Sequence, residues 1–251
     1  MATKILMIGN SFSQDTLMYS AAAAKSVGIE LISHNLYIGG CTLERHVKCM
    51  NENLEDYIFE RYTDTPEQKG LFKSTLARGL EYADWDIITF QQGSPKSGLP
   101  ESYAFLDPLY AYVREKMAGR DIHYGWNMTW AYMSGHDTPN YEPYGYNQNT
   151  MFRAILNAVD TEVRPRGLDV IPCGVAVQAA RAGLADAALT RDGFHLSLEA
   201  GRYTAALTLL GRMLDVDPDS VTYRPEGLSE RDADVCRAAV TLALRYEKTK
   251  Q

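Results

Sequence analysis

Ser11 sits where the first apolar run of the chain stops. Lys4 to Ile8 reads as a buried strand, Gly9 and Asn10 end it, and a helix-like stretch follows Ser11-Phe12-Ser13. A strand-to-helix turn exposes a serine hydroxyl and points backbone N–H groups into the same space. Those are the needs of a nucleophile beside an oxyanion pocket. A serine is inert without a base, and residues 191–203 (RDGFHLSLEAGRY) offer one. Asp192 precedes His195 by three positions, so one turn can hold the imidazole while the carboxylate accepts a hydrogen bond from its other nitrogen. That bond would fix the tautomer and stabilise the imidazolium during proton transfer.

Blander roles exist for each residue. Serine is a favoured helix N-cap, but Asn10, Ser13 and Asp15 would cap equally well. A phosphate-binding loop would want more Gly and Lys than this turn has. Asp192 could serve only the turn before Gly193, and His195 could be a satisfied core histidine. Each explains one residue; together they need three coincidences. His34, His46, His123 and His136 show no metal-ligand spacing and read as structural. Cys41, Cys49, Cys173 and Cys236 form no CxxC pair and read as reduced thiols. Neither a metal nor an organic cofactor is expected.

Ser11 and His195 lie near opposite ends of the chain, so a sheet must bring them to one edge. Strand-like runs fall at Lys4–Ile8, Glu30–Ile38, Asp86–Gln91, Asp121–Trp126 and Asp169–Pro172. Helical runs fall at Thr16–Val27, Leu106–Met117, Thr150–Val163 and Leu198–Leu214. This alternation predicts an α/β fold: a flavodoxin-like three-layer sandwich, its central parallel five-stranded sheet covered by helices on both faces. In such sheets ligands bind beyond the carboxyl ends of the strands, where Ser11 falls. Residues 53–74 read as a hairpin insertion turning near Pro66 and Gly70, and Ser229–Tyr246 as an extra C-terminal helix capped by Ser229. No linker divides residues 1–251, which read as one domain.

The 128–150 stretch is long, polar and aromatic, and follows the fourth strand on the ligand-binding edge. Aromatic rings there either pack or stack on sugar faces; Trp130, Tyr132 and Tyr141 are the candidates for substrate contact, with Trp126, Tyr144 and His136 nearby. The Asn127-Met128-Thr129 sequon reads as chance. The chain has 251 residues, 45% of them apolar and 23% charged, as expected of a globular protein with a buried core. Its net charge of -7 and the lack of a basic cluster argue against nucleic acid as a partner. The apolar runs are too short to span a membrane. No leader-like segment follows Met1, so cytoplasm is the expected location.

Four short blocks, in order, resemble those of the SGNH (GDSL-like) hydrolases. Gly9-Asn10-Ser11-Phe12-Ser13 is similar to the Gly-Asp-Ser block, with Ser11 as nucleophile. In Ile38-Gly39-Gly40-Cys41-Thr42, Gly40 matches the oxyanion glycine, and Asp192-Gly193-Phe194-His195 resembles the Asp-x-x-His block. The third block departs from the pattern: Phe90-Gln91-Gln92-Gly93-Ser94 has no Asn. It is similar to the Gln-Gly-Glu form of the sialate O-acetylesterase-like branch, where Gln replaces Asn. An amide of Gln can donate the same bond over a longer reach. The resemblance therefore implies an oxyanion hole of Ser11, Gly40 and Gln92, with Gln91 as the alternative donor or a substrate contact. A further likeness, to an uncharacterised branch with Gln-Gln-Gly-Ser-type and Thr-Trp-Ala-Tyr-type segments, suggests a carbohydrate context.

The expected activity is a serine esterase that removes a small O-acyl group, acetyl foremost, from a carbohydrate through an acyl-enzyme. Two alternatives stand beside it. One is a non-catalytic carbohydrate-binding protein on the same fold. The other is a lipase-like acyl hydrolase, which would need a long apolar groove. The expected partner is a small-molecule or glycan ester; sugar, ester position and oligomeric state are left open.

Overall fold

A computed structural model describes residues 2–65 and 69–250. The chain runs β1 (Thr3–Gly9), α1 (Ser11–Leu17), α2 (Ser20–Ser26), β2 (Leu31–Tyr37), α3 (Leu43–Asn51), β3 (Tyr57–Tyr62), β4 (Lys69–Ser74), α4 (Leu76–Glu81) and β5 (Ile87–Phe90). It continues through α5 (Leu106–Lys116), β6 (His123–Asn127), α6 (Gln148–Ala158), β7 (Asp169–Ile171), α7 (Cys173–Ala180), α8 (Asp186–Leu189), α9 (Ala200–Met213) and α10 (Glu230–Lys248).

The expected parallel strands are present as β2-β1-β5-β6-β7. The sheet has seven strands rather than five, because β3 and β4 pair antiparallel and extend it past β2. Residues 57–62 and 69–74 are thus part of the sheet; the expected turn at Pro66 lies outside the described residues. Tyr57 and Phe59 bury one face of β3 and Tyr62 the other, which is the hydrophobic reason for its docking.

Side-chain alternation along β2 shows both faces covered. Ser33 and Asn35 meet Ser20 of α2 and Ser13 of α1. On the opposite face Leu36 packs so tightly on α4 that a Cβ at Gly79 would lie 2.5 Å from its Cδ2. Helices α1, α2, α7, α9 and α10 form one layer and α3, α4 and α5 the other. β1 is the hub: Ile5, Leu6, Met7 and Ile8 are buried, and the chain moves first to β2 on one side and later to β5 on the other. The point where strand order reverses therefore falls at the carboxyl end of β1, beside Ser11.

The helix expected at Thr16–Val27 begins earlier and is broken. Asn10 caps α1 by accepting from the Phe12 N–H at 2.9 Å. Tyr19, at φ −111°, leaves helical geometry before α2. Thr16 and Ser20 turn their hydroxyls onto the carbonyls of Phe12 and Leu17, a pattern that bends helices. The helix expected at Thr150–Val163 ends at Ala158 and continues as a π-helical turn over Val159–Val163. Ser229 does cap α10, accepting from the Asp232 N–H at 3.1 Å. Among the described residues, no helix is long and apolar enough to cross a membrane.

Candidate active site

The turn after α8 carries Asp192 and His195. An isolated antiparallel bridge joins Thr190 to Leu196 and closes a loop of which Gly193 is the tip. Gly193 has φ +89°, and a Cβ there would lie 2.3 Å from Nδ1 of His136, so only glycine fits. Asp192 Oδ1 accepts from the His195 N–H at 2.8 Å and the Phe194 N–H at 3.3 Å. Its Oδ2 lies 2.6 Å from His195 Nδ1. The other ring nitrogen, Nε2, lies 2.7 Å from Ser11 Oγ. Ser11, His195 and Asp192 therefore meet in one hydrogen-bonded line.

Burial of the Asp192 carboxyl works to raise its pKa. The bonds from the His195 ring and from the His195 and Phe194 backbone outweigh it and hold the group below its ordinary value. Asp192 is thus an anion at neutral pH, which places the Nδ1 proton on the imidazole and leaves Nε2 as acceptor for the serine hydroxyl.

Ser11 is the first residue of α1, so its N–H has no partner inside the helix. Gly40 follows β2 at φ +62°, in the left-handed region, and both residues line one cleft of about 660 Å³ together with His195. Asn10 supports that arrangement: its Nδ2 donates to the Cys41 carbonyl at 2.9 Å, tying the β1 end to the loop that holds Gly40.

Gln92 is not placed to complete an oxyanion hole. Its Nε2 donates to the Ser102 carbonyl at 3.1 Å and lies 3.0 Å from the Ser102 hydroxyl. Its Oε1 accepts from the N–H groups of Leu43 and Gly93, each at 2.9 Å. The alternative donor, Gln91, is also engaged. It gives Nε2 to Asn10 Oδ1 at 2.6 Å and accepts from Asn127 Nδ2 at 2.9 Å. Both glutamines are buried off the cleft. Asn127, Gln91 and Asn10 instead form a chain of amides beneath the site, fastening the ends of β6, β5, β1 and β2 to one another. A buried Asn127 so bonded is no glycan acceptor.

The aromatic loop divides. Trp130 is fully buried; it stacks on Phe12 with ring centroids 4.2 Å apart and donates Nε1 to the Phe194 carbonyl at 2.7 Å. Tyr141 is also fully buried, edge-on to Tyr132. Neither borders the cleft, so the expected substrate contacts of Trp130 and Tyr141 are replaced by a propping role. Apolar burial drives both rings inward and their polar atoms find backbone partners. Tyr132 does border the cleft, with its hydroxyl 2.8 Å from the Ser94 hydroxyl. Burial pushes the Tyr132 phenol up to about 12, only partly offset by the Ser94 bond, so it keeps its proton. The two hydroxyls carry two protons and use one between them. Among the described residues neither bonds any other side chain or backbone group, so one proton remains to donate.

Sequence reasoning gave Ser94, Asn10 and Arg191 no role in the site. Ser94 was within reach of it as the residue after Gln-Gln-Gly; Arg191 had no signal beyond adjacency to Asp192. Both line the cleft with Gln14, Tyr37, Thr138 and Asn140, a lining of hydroxyl, amide and guanidinium groups. Among the described residues, no group of three or more His, Cys, Asp or Glu could hold a metal ion.

The fold is that of the SGNH hydrolases. A protein from Slackia heliotrinireducens described as a candidate SGNH hydrolase superposes with a TM-score of 0.55 at 22% identity, over 85% of this chain and 100% of that one. Axe2, an acetylxylan esterase from Geobacillus stearothermophilus, superposes at 0.51 with 14% identity, over 88% and 95%. By sequence the chain belongs to the family described as a domain of unknown function, DUF4886, which it matches over residues 4–243. A crystal structure of a DUF4886 protein from Bacteroides uniformis agrees with a TM-score of 0.93 and 34% identity, over 98% of this chain and 96% of that one. No curated protein matches the sequence.

Proposed function

We propose that this protein is a serine esterase that removes a small O-acyl group, acetyl foremost, from a carbohydrate. The observation that carries the reading is the line Ser11 Oγ–His195 Nε2, 2.7 Å, and His195 Nδ1–Asp192 Oδ2, 2.6 Å. Ser11 Oγ attacks the ester carbonyl as its proton passes to His195 Nε2. The N–H groups of Ser11 and Gly40 hold the oxyanion, and the spare proton of the Ser94–Tyr132 hydroxyl pair takes the place that Gln92 cannot fill. Collapse of the tetrahedral intermediate expels the sugar oxygen, which leaves with the proton from His195. Water then gives a proton to His195 and attacks the acyl-enzyme; carboxylate leaves and Ser11 regains its hydrogen.

A polar cleft with hydroxyl and amide groups suits a polyol better than an acyl chain, which favours a sugar ester over a lipid. The fold shared with an acetylxylan esterase supports the same class of substrate. The test is a fluorophosphonate probe followed by mass spectrometry. An adduct on Ser11 is expected, and Ser11→Ala should lose both the adduct and hydrolysis of p-nitrophenyl acetate while the circular dichroism spectrum stays native. Full hydrolysis by Ser11→Ala would overturn the assignment. Glycan binding without turnover in the wild type would favour a lectin-like role.

A further inference from the structure

Asp15 is a fully buried carboxylate that no step of the proposed reaction uses. It stands four residues after Ser11 in α1, one helical turn away on the same face. Its Oδ2 accepts from the Leu196 N–H at 2.8 Å, the amide next in the chain to His195. Its Oδ1 accepts from Arg191 Nη1 at 3.0 Å and from Arg202 Nε at 2.8 Å. One side chain therefore joins the helix of the nucleophile, both ends of the turn that carries the base, and α9. The turn is closed on itself at the same place: the Arg191 N–H donates to the His195 carbonyl at 3.0 Å, and Arg191 Nη1 also reaches the Leu196 carbonyl.

We infer that Asp15 is a positioning residue whose carboxylate locks the Asp192–His195 turn onto α1 and so sets the gap between Ser11 Oγ and His195 Nε2. The inference rests on the esterase reading above. A carboxyl group with no exposed surface needs partners in place of water, and here two guanidinium groups and an amide supply them. Its chemistry is short, charged and directional, and its three bonds converge from residues far apart in the chain. The tip of the same turn is gripped from the other side, where Trp130 Nε1 bonds the Phe194 carbonyl and the Met133 N–H bonds the Gly193 carbonyl, each at 2.7 Å. With the tip held by the aromatic loop, Asp15 fixes the base of the turn against the nucleophile.

The experiment compares Asp15→Asn and Arg191→Gln with the wild type in the full chain. Both variants should hydrolyse p-nitrophenyl acetate with kcat lowered on the order of 100-fold and KM within about twofold, because about 1 Å of misplacement costs that much. Fluorophosphonate labelling of Ser11 should slow in parallel. In a His195→Ala background, Asp15→Asn should leave the residual rate unchanged, since the group it positions is gone; a merely structural residue would lower that rate too. If Asp15→Asn does not fold, Arg191→Gln decides, because Arg202 still pairs the carboxylate there. Wild-type kcat in the folded variants overturns the inference and leaves the esterase reading intact. A wild type that neither labels nor turns over overturns the esterase reading, and this one with it.

Discussion

Asp192 shows how much a single proton matters at the residue scale. Its carboxyl is held ionised by three hydrogen bonds. Asp192→Asn keeps the shape but cannot impose the tautomer, so kcat for an acetyl ester should fall roughly 10⁴-fold with little change in melting temperature. Tyr132→Phe removes one hydroxyl of the pair at 2.8 Å from Ser94. If that pair donates to the oxyanion, steady-state kinetics should show kcat down roughly 100-fold, the scale of a lost oxyanion donor. An unchanged kcat would leave the hole to two backbone N–H groups.

At the scale of elements, the Thr190–Leu196 turn behaves as one rigid part. Its tip glycine lies at φ +89° against His136, and α1 and the aromatic loop clamp its two sides. Gly193→Ala would add left-handed strain of roughly 1–3 kcal/mol and force His136 aside. Thermal melting should report that loss, and kcat should fall with it because the same turn carries His195. A similar logic explains the 128–150 segment. Sequence pattern gave it aromatic rings on the correct edge, but did not separate rings that face substrate from rings that brace the turn. That distinction needed the position of Phe12 and of the Phe194 carbonyl, supplied by α1 and by the turn after α8.

For the whole molecule, the seven-stranded sheet buries groups that report on folding. His34 in β2 is buried among Phe59, Tyr82 and Trp85, and among the described residues neither of its ring nitrogens has a partner. Burial first, then the nearby charges of Arg61 and Lys4, lower its pKa from 6.5 to about 4. Unfolded chains take up that proton below pH 6.5, while the folded protein refuses it until about pH 4. Stability is therefore whole above 6.5 and is lost as pH falls through this window, by about 3 kcal/mol at most for this one group. Urea midpoints at neutral pH and at pH 4 should differ more for the wild type than for His34→Leu.

Some of this was readable from the chain because it is local. Apolar runs mark the five parallel strands, Ser229 marks the start of the last helix, and the spacing of Asp192 and His195 suits a single turn. Strand ends also told which residues face the ligand edge, since a parallel sheet gathers its carboxyl ends on one side. Side-chain direction is another matter, because it depends on partners that lie far off in sequence. The amides of Gln91 and Gln92 could have reached the cleft, yet Asn10, Asn127 and Ser102 claim them. Trp130 and Tyr141 could have met a sugar, yet the core takes them. Asp15 looked like one of several helix caps until Arg191, Leu196 and Arg202 closed around it. Only tertiary packing could decide these, since a buried polar group goes to whichever partner the fold brings within hydrogen-bond reach.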